Sequence, residues 1–319
     1  MTAFALRRLA IAVPTLFLII TASFFLMHAA PGGPFDADAN LEPQVLRNLQ
    51  AAYSLDRPVP EQYVLYLGKL ARGDFGPSII YPDQTVTQLI ATGLPVSVRL
   101  GVAALLIAAA IGGVLGVIAA LRQNSAVDYG VMGVAMTGVA VPSFVMAPLL
   151  TLIFGVILRW LPIATLEPGG ALARAVPTLA PITPYILPVI ALALPQIAII
   201  ARLTRAAMIE VLRQNYVRTA RAKGMSRGRV VMGHTLPAAL LPVVSYLGPA
   251  VANVVTGAVV VETIFQLPGM GRFFIQGAIN RDYPTVLGIV VVFALAVILM
   301  NLIVDLLYGL LDPRVKTGR

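Results

Sequence analysis

The chain has 319 residues, of which 58% are hydrophobic and only 12% charged, and its mean hydropathy is +0.87. A soluble domain carries about twice that share of charge, so too little polar surface remains to cover a water-soluble globule, and the soluble-enzyme and disordered classes drop out. The formal net charge of +9 has its simplest source in Lys and Arg retained on one side of a membrane, not in nucleic-acid binding.

The first apolar run, LAIAVPTLFLIITASFFLMHA over 9–29, follows Arg7 and Arg8. A signal peptide could start the same way and end near Ala29 and Ala30, but this run of about 20 residues exceeds the roughly 7–15 of a signal h-region. An uncleaved first span is therefore expected. Residues 30–97 then carry seven acids (Asp36, Asp38, Glu42, Asp56, Glu61, Asp74, Asp83) against Arg47, Arg57, Lys69 and Arg72, with short amphipathic helices expected near 43–53 and 60–72. Five further apolar segments follow, near 98–120, 131–157, 186–206, 241–262 and 285–309. Gly112 and Gly116 form a GxxxG in the second span, a spacing that lets helices approach closely. Pro177, Pro181, Pro184 and Pro188 predict an extended outer loop between spans three and four.

Charge sets the expected orientation. With both termini inside, 14 of the 23 basic residues lie on the inner side: Arg7, Arg8, Arg122, Arg314, Lys316, Arg319 and eight between 202 and 229. Ten of the fourteen acids fall on the outer side. The expectation is an all-α polytopic membrane protein with six transmembrane helices and both termini cytoplasmic. Its extracytoplasmic region is 30–97, and a five-helix core runs over 98–319.

An ion-coupled carrier needs charged or strongly polar ligands at mid-membrane. The spans hold only Asp305, with Asn253 and Asn301 as polar company; Glu262 joins the two asparagines as a polar pore candidate. Asp305 lies within about one helical turn of the inner interface, where pairing with Arg8 or Arg202 is the expected role. No cysteine is present, and His28 and His234 show no metal-ligand spacing. No Ser-His-Asp, Cys-His or HExxH constellation and no GxxxxGK[ST] occurs, so no catalytic or metal residue is assigned. The lone Gly269-x-Gly271 reads as a turn. Energy for active transport would have to come from a partner.

Residues 202–237, RLTRAAMIEVLRQNYVRTARAKGMSRGRVVMGHTLP, predict a helix to about Lys223, a break at Gly224, and a short second helix capped by Ser226 and stopped by Pro237. Ala220 and Ala222 keep one surface thin enough for a partner backbone to approach. Arg218, Arg221, Lys223, Arg227 and Arg229 surround it with charge, which by itself also suits a loop lying on anionic headgroups.

The spacing in Arg218-Thr219-Ala220-Arg221-Ala222-Lys223-Gly224, nine further residues, then His234-Thr235-Leu236-Pro237 resembles the EAA motif of ABC importer permeases. Arg218 and Thr219 stand where that motif has Glu and Ala, a departure that looks like its peptide-transport branch. The opening LRRLAIAVPTLFLIITASFFLMHAAPGGPF, LDRPVPEQYVLYLGKLARGDFGPS, MTGVAVPSFVMAPLL, VVVETIFQLPGMGRFFIQGAINRDYP and the closing LLDPRV extend the resemblance to the oligopeptide/dipeptide ABC transporter permease family over essentially the whole chain. The first permease subunit of the oligopeptide branch looks most similar.

That resemblance implies a single permease domain over 1–319 with type I importer architecture, a long extracytoplasmic loop after the first helix, and residence in a bacterial cytoplasmic (inner) membrane. It implies a homologous second permease, two cytoplasmic ATPases that bind ATP and Mg, an extracytoplasmic solute-binding protein and a peptide cargo, with membrane lipid around them. No cofactor is implied for this chain itself. It further implies an ATPase-coupling loop over 207–237, with 218–237 as the docking helices, Gly224 as their turn, Ala220 and Ala222 for close approach, and His234 to Pro237 leading back into the membrane. Dipeptides, glutathione, nickel chelates and opines stay open as cargo, as does a self-sufficient carrier or channel.

Overall fold

Hydrocarbon supplies no hydrogen-bond partners, so apolar runs of this length must satisfy their backbones internally as helices. A computed structural model describes residues 2–35, 42–163 and 169–311; among them every regular element is helical. Arg314, Lys316, Arg319, Asp36, Asp38 and the closing DPRV lie outside the described residues.

In chain order the helices are α1 (Thr2–Ala29), α2 (Pro43–Ala52), α3 (Val59–Leu70), α4 (Val86–Leu121), α5 (Ala126–Ala140), α6 (Ser143–Leu150), α7 (Gly170–Ala175), α8 (Thr183–Leu212), α9 (Asn215–Ala222), α10 (Arg227–Val230), α11 (Leu236–Ala239), α12 (Leu241–Ile264), α13 (Met270–Ile279) and α14 (Tyr283–Leu311). Among the described residues five helical stretches are long and apolar enough to cross a membrane: Ala10–Ala29, Val86–Leu121, Pro177–Leu212, Leu241–Ile264 and Tyr283–Leu307. The expected third span is different. Its two pieces, Ala126–Ala140 and Ser143–Ile157, are bent by 103° at Val141–Pro142, so a sixth crossing exists only if the bent pair counts as one. Pro142 has no N–H and disfavours the helical conformation for the residue before it; Val141 is extended, at φ −102° and ψ 117°.

The proline-rich stretch also departs from expectation. In place of an extended loop, Pro177–Ile182 forms a 3₁₀ turn that runs into α8. Pro184 occupies the first turn, where its missing N–H has no intrahelical partner to lose. Pro188 and Pro195 are carried inside the helix.

The described residues fall into two compact units. The first comprises 2–6, 97–163, 169–267 and 297–311 of them. Within it α8 packs against α5, α6 and α12. The GxxxG on α4 lies over α8: a Cβ added at Gly112 would come 2.8 Å from the Ile197 carbonyl oxygen, and one at Gly116 2.6 Å from that of Ala201. Close helix packing through small residues is what that spacing predicted. An ion pair missed by the sequence reading joins α5 to α8. The Arg205 guanidinium donates from Nε and Nη2 to the two oxygens of Asp128, both at 2.6 Å, with the carboxylate only 1% exposed.

The second unit comprises 7–35, 42–96 and 268–296. The two short helices expected in the outer region are present as α2 and α3. His28 stacks on Phe24 at 4.1 Å, its Nδ1 at 2.8 Å from the Phe24 carbonyl and its Nε2 at 3.2 Å from Gln62 Oε1, which marks it as structural. The buried Asp282 precedes α14, accepting from Thr285 N–H at 3.2 Å and Thr285 Oγ1 at 2.8 Å, and it also accepts from Ser78 Oγ. It thereby caps the helix and pins the loop before α4. Burial, and then the negative charge of Asp282, push the Tyr53 hydroxyl above its usual pKa, keeping it a donor to the Ser78 carbonyl at 3.0 Å.

Replacing Arg205 by Met strands the buried Asp128 carboxylate. The expected cost is about 3–5 kcal/mol, read as a fall in the detergent melting temperature. Asp128→Asn in the same chain should recover part of it; equal losses in the single and double variants would show that the pair is not stabilising.

Candidate functional site

The 207–237 segment is built from three helical pieces. α8 ends at Leu212, and α9 does not begin until Asn215, so the continuous helix expected to reach Lys223 is interrupted at Arg213 and Gln214. Gly224 turns the chain at φ +79° with nothing within 4 Å of where a Cβ would stand. The turn therefore requires the left-handed conformation and leaves space for any side chain. Ser226 occupies the N-cap position of α10, but its side chain makes no capping hydrogen bond. Pro237 does not stop the second helix. Val231–Thr235 widens into a π turn, Leu236 donates back to the Val231 carbonyl, and Pro237 sits in the first turn of α11. Widening the turn ahead of the ring accommodates a residue that cannot donate.

α9 packs on α10 through Val217, Ala220 and Val230, which are 0%, 6% and 1% exposed. Ala220 therefore faces inward and allows the two halves of this loop to close on each other; it offers no surface to a partner. Ala222 is exposed, as are Arg218, Thr219, Arg221, Lys223 and Gly224. His234 is half-buried, with its Nδ1 lacking a hydrogen-bond partner, Leu236 packs beside Met208 and Val231, and Pro237 is exposed.

Seven of the eight basic residues between 202 and 229 divide into two groups. Arg205 is committed to Asp128. Arg213 donates to Gln123 Oε1 at 3.4 Å and Arg227 to the Leu121 carbonyl at 3.3 Å, tying the loop to the end of α4. Arg218, Arg221, Lys223 and Arg229 form no ion pair or side-chain hydrogen bond among the described residues, leaving their charge for something outside the chain. Arg122, Arg221 and Arg227 line a hollow of about 620 Å³ without an acid in its wall.

The polar candidates within the spans do not converge. Asn253 lies in reach of the Tyr246 hydroxyl, which donates to Gln196 Oε1 at 2.7 Å. Gln196 and Asn253 line a groove of about 330 Å³ along the Val141–Pro142 break. The sequence reading passed over Gln196 and Tyr246; their only signal was that Gln196 is the one amide side chain in the α8 sequence and Tyr246 the one aromatic in that of α12. Asn301, on α14, is exposed and donates to the Val297 carbonyl at 3.0 Å. Glu262 is fully buried near the end of α12, and Asp305 is half-buried on α14. No group of three metal-ligating side chains occurs among the described residues.

Comparison with known proteins places this geometry in a family. The model for the binding-protein-dependent transport system inner membrane component matches residues 112–317, and that for the N-terminal part of such components matches 1–100. The oligopeptide transport system permease protein OppB of Salmonella typhimurium is 51% identical over 316 residues, covering 99% of this chain and 100% of that protein. OppB of Haemophilus influenzae is 47% identical over the same shares. The dipeptide transport system permease protein DppB of Bacillus subtilis is 43% identical, over 99% of this chain and 98% of its own.

The Gly224 turn makes a contrast between two substitutions informative. Asn tolerates the left-handed conformation, so Gly224→Asn should leave tryptic cleavage across 218–229 in membrane vesicles within about twofold. Gly224→Val should open the loop by about 1–2 kcal/mol and speed cleavage roughly 5–30-fold. Equal rates would show that the turn is not held in the left-handed region.

Proposed function

The chain belongs to the family of binding-protein-dependent transport system inner membrane components, and on that premise we propose that it is the transmembrane permease subunit of an ATP-driven oligopeptide importer. The full-length 51% identity to OppB carries this reading, and the 43% identity to a dipeptide permease favours the dipeptide alternative less. The subunit sits in a bacterial inner membrane with both termini cytoplasmic, paired with a homologous second permease to form the pore. Two ATPase subunits bind ATP and Mg on the cytoplasmic side, and a solute-binding protein delivers peptide from outside. The chain itself has a transport role without a catalytic residue or cofactor of its own.

Coupling runs through 218–237. Arg218, Arg221, Lys223 and Arg229 present unpaired charge to an ATPase groove, and Ala222 leaves room for its backbone. Gly224 sets the angle between α9 and α10. His234, Leu236 and Pro237 carry the loop's displacement into α12 as one helical path. Closure of the ATPases around ATP draws the loops of the two permeases together and opens the pore outward; hydrolysis resets it. Ala220 and Val217, packed inside the hairpin, make the loop move as a rigid body and not as a flexible tether.

Gly224→Asp adds a carboxylate among these basic residues and at the turn. The expected result is normal membrane insertion with uptake of a toxic tripeptide, and transport-coupled ATP hydrolysis, reduced at least tenfold. Normal uptake would overturn the coupling role. Uptake by the chain alone in liposomes under an ion gradient would instead favour a self-sufficient carrier.

A further inference from the structure

The bent pair α5 and α6 leaves a feature that the coupling loop does not explain. Its groove lies in the first unit, walled by the break itself and by Leu192, Val254 and Gln196. Gln196 is 4% exposed. Its amide oxygen accepts from Tyr246, while its amide nitrogen has no partner among the described residues. That nitrogen is not one of the enclosed unpaired polar atoms among the described residues, so it opens onto the groove, where a water or a ligand carbonyl can accept from it. The break adds further unpaired groups. Pro142 cannot donate to the Gly138 carbonyl, and, while Val145 and Met146 donate to the Pro142 carbonyl at 3.0 and 2.9 Å, the Ser143 and Phe144 N–H groups have no helical carbonyl to bond. Irregular backbone at membrane depth persists where it lines a cavity.

The groove therefore offers amide donors and carbonyl acceptors side by side, between apolar walls, with no charged side chain in its lining. That combination is complementary to one chemistry, the main chain of an extended peptide. Its carbonyls would accept from Gln196 and its N–H groups would donate to the freed carbonyls, while the apolar walls receive side chains of any kind. We propose that this groove is a main-chain subsite on the translocation path, with Gln196 the principal donor and Tyr246 and Asn253 the groups that hold its amide in orientation. The proposal rests on the importer reading and adds to it where the cargo is held within this chain.

The absence of cysteine from the chain makes a direct test possible in the assembled transporter. Ser143→Cys, at the groove wall, should react with a membrane-impermeant methanethiosulfonate, and pentaalanine supplied with the binding protein and ATP should slow that reaction at least threefold. Gln196→Leu keeps volume and removes the amide. It should raise the half-saturating pentaalanine concentration for uptake at least fivefold, with the affinity of the isolated binding protein unchanged, and Gln196→Asn should recover part of the loss. Labelling indifferent to pentaalanine, or confined to lipid-soluble thiol reagents, would overturn the subsite while uptake by the unsubstituted complex leaves the importer reading standing. An unchanged half-saturating concentration in Gln196→Leu would overturn it equally. Absence of peptide uptake by the unsubstituted complex would overturn both.

Discussion

Lipid chains are as apolar as leucine, so helices in a membrane gain nothing by merely hiding hydrophobic surface and must hold together by close packing and a few strong polar contacts. In the first unit both converge on α8, whose span is 61% buried, against 33% for α12 and 28% for α4. Its inward face is dominated by small residues (Ala191, Ala193, Ala198, Ala201 are all nearly or fully buried), and Gly112 and Gly116 bring α4 onto its backbone. Asp128 and Arg205 add a charged tie between α5 and α8, bidentate and with the carboxylate buried. The same helix delivers the chain into the α9–α10 loop at one end and supplies Gln196 to the groove, so the positions of both sites are inherited from how α8 is packed.

Three departures from regular helix lie where motion or ligand contact is proposed, and each has a chemical cause. Pro142 produces the 103° bend, Gly224 the left-handed turn, and Pro237 the π turn ahead of it. Elsewhere proline is absorbed: Pro188 and Pro195 lie inside α8 and Pro249 inside α12. A proline is disruptive according to whether neighbouring helices can satisfy the carbonyl it leaves free. That distinction separates a structural proline from one that opens a groove.

The charge of the loop shows a similar partition. Arg213 and Arg227 hold the loop to the end of α4, Arg205 ties α8 to α5, and four other basic residues present charge outward. Rigid attachment and a free basic surface are both needed if displacement of the loop is to reach the spans, since a tether that bends would dissipate it. The inward-facing Ala220 contributes to the rigidity that the sequence had assigned to partner contact.

Composition alone determined that this chain belongs in a membrane, because hydropathy and charge scarcity are sums over residues and need no geometry. Local rules were equally sufficient for α1, α2 and α3, for the packing role of Gly112 and Gly116, and for the turn at Gly224, since each depends on a few neighbouring residues. The spacing from Arg218 to Pro237 carried the family resemblance from which the coupling role is proposed. What tertiary structure decided was everything that depends on a distant partner. Whether Pro142 breaks a span while Pro188 does not, whether Ala220 faces in or out, and whether Arg205 serves the loop or pairs with Asp128, 77 positions away, are set by what lies across the helix interface. Gln196 belongs to this class as well: an amide in an apolar helix is unremarkable in the sequence and acquires meaning only when packing buries it beside a broken span with its nitrogen unpaired.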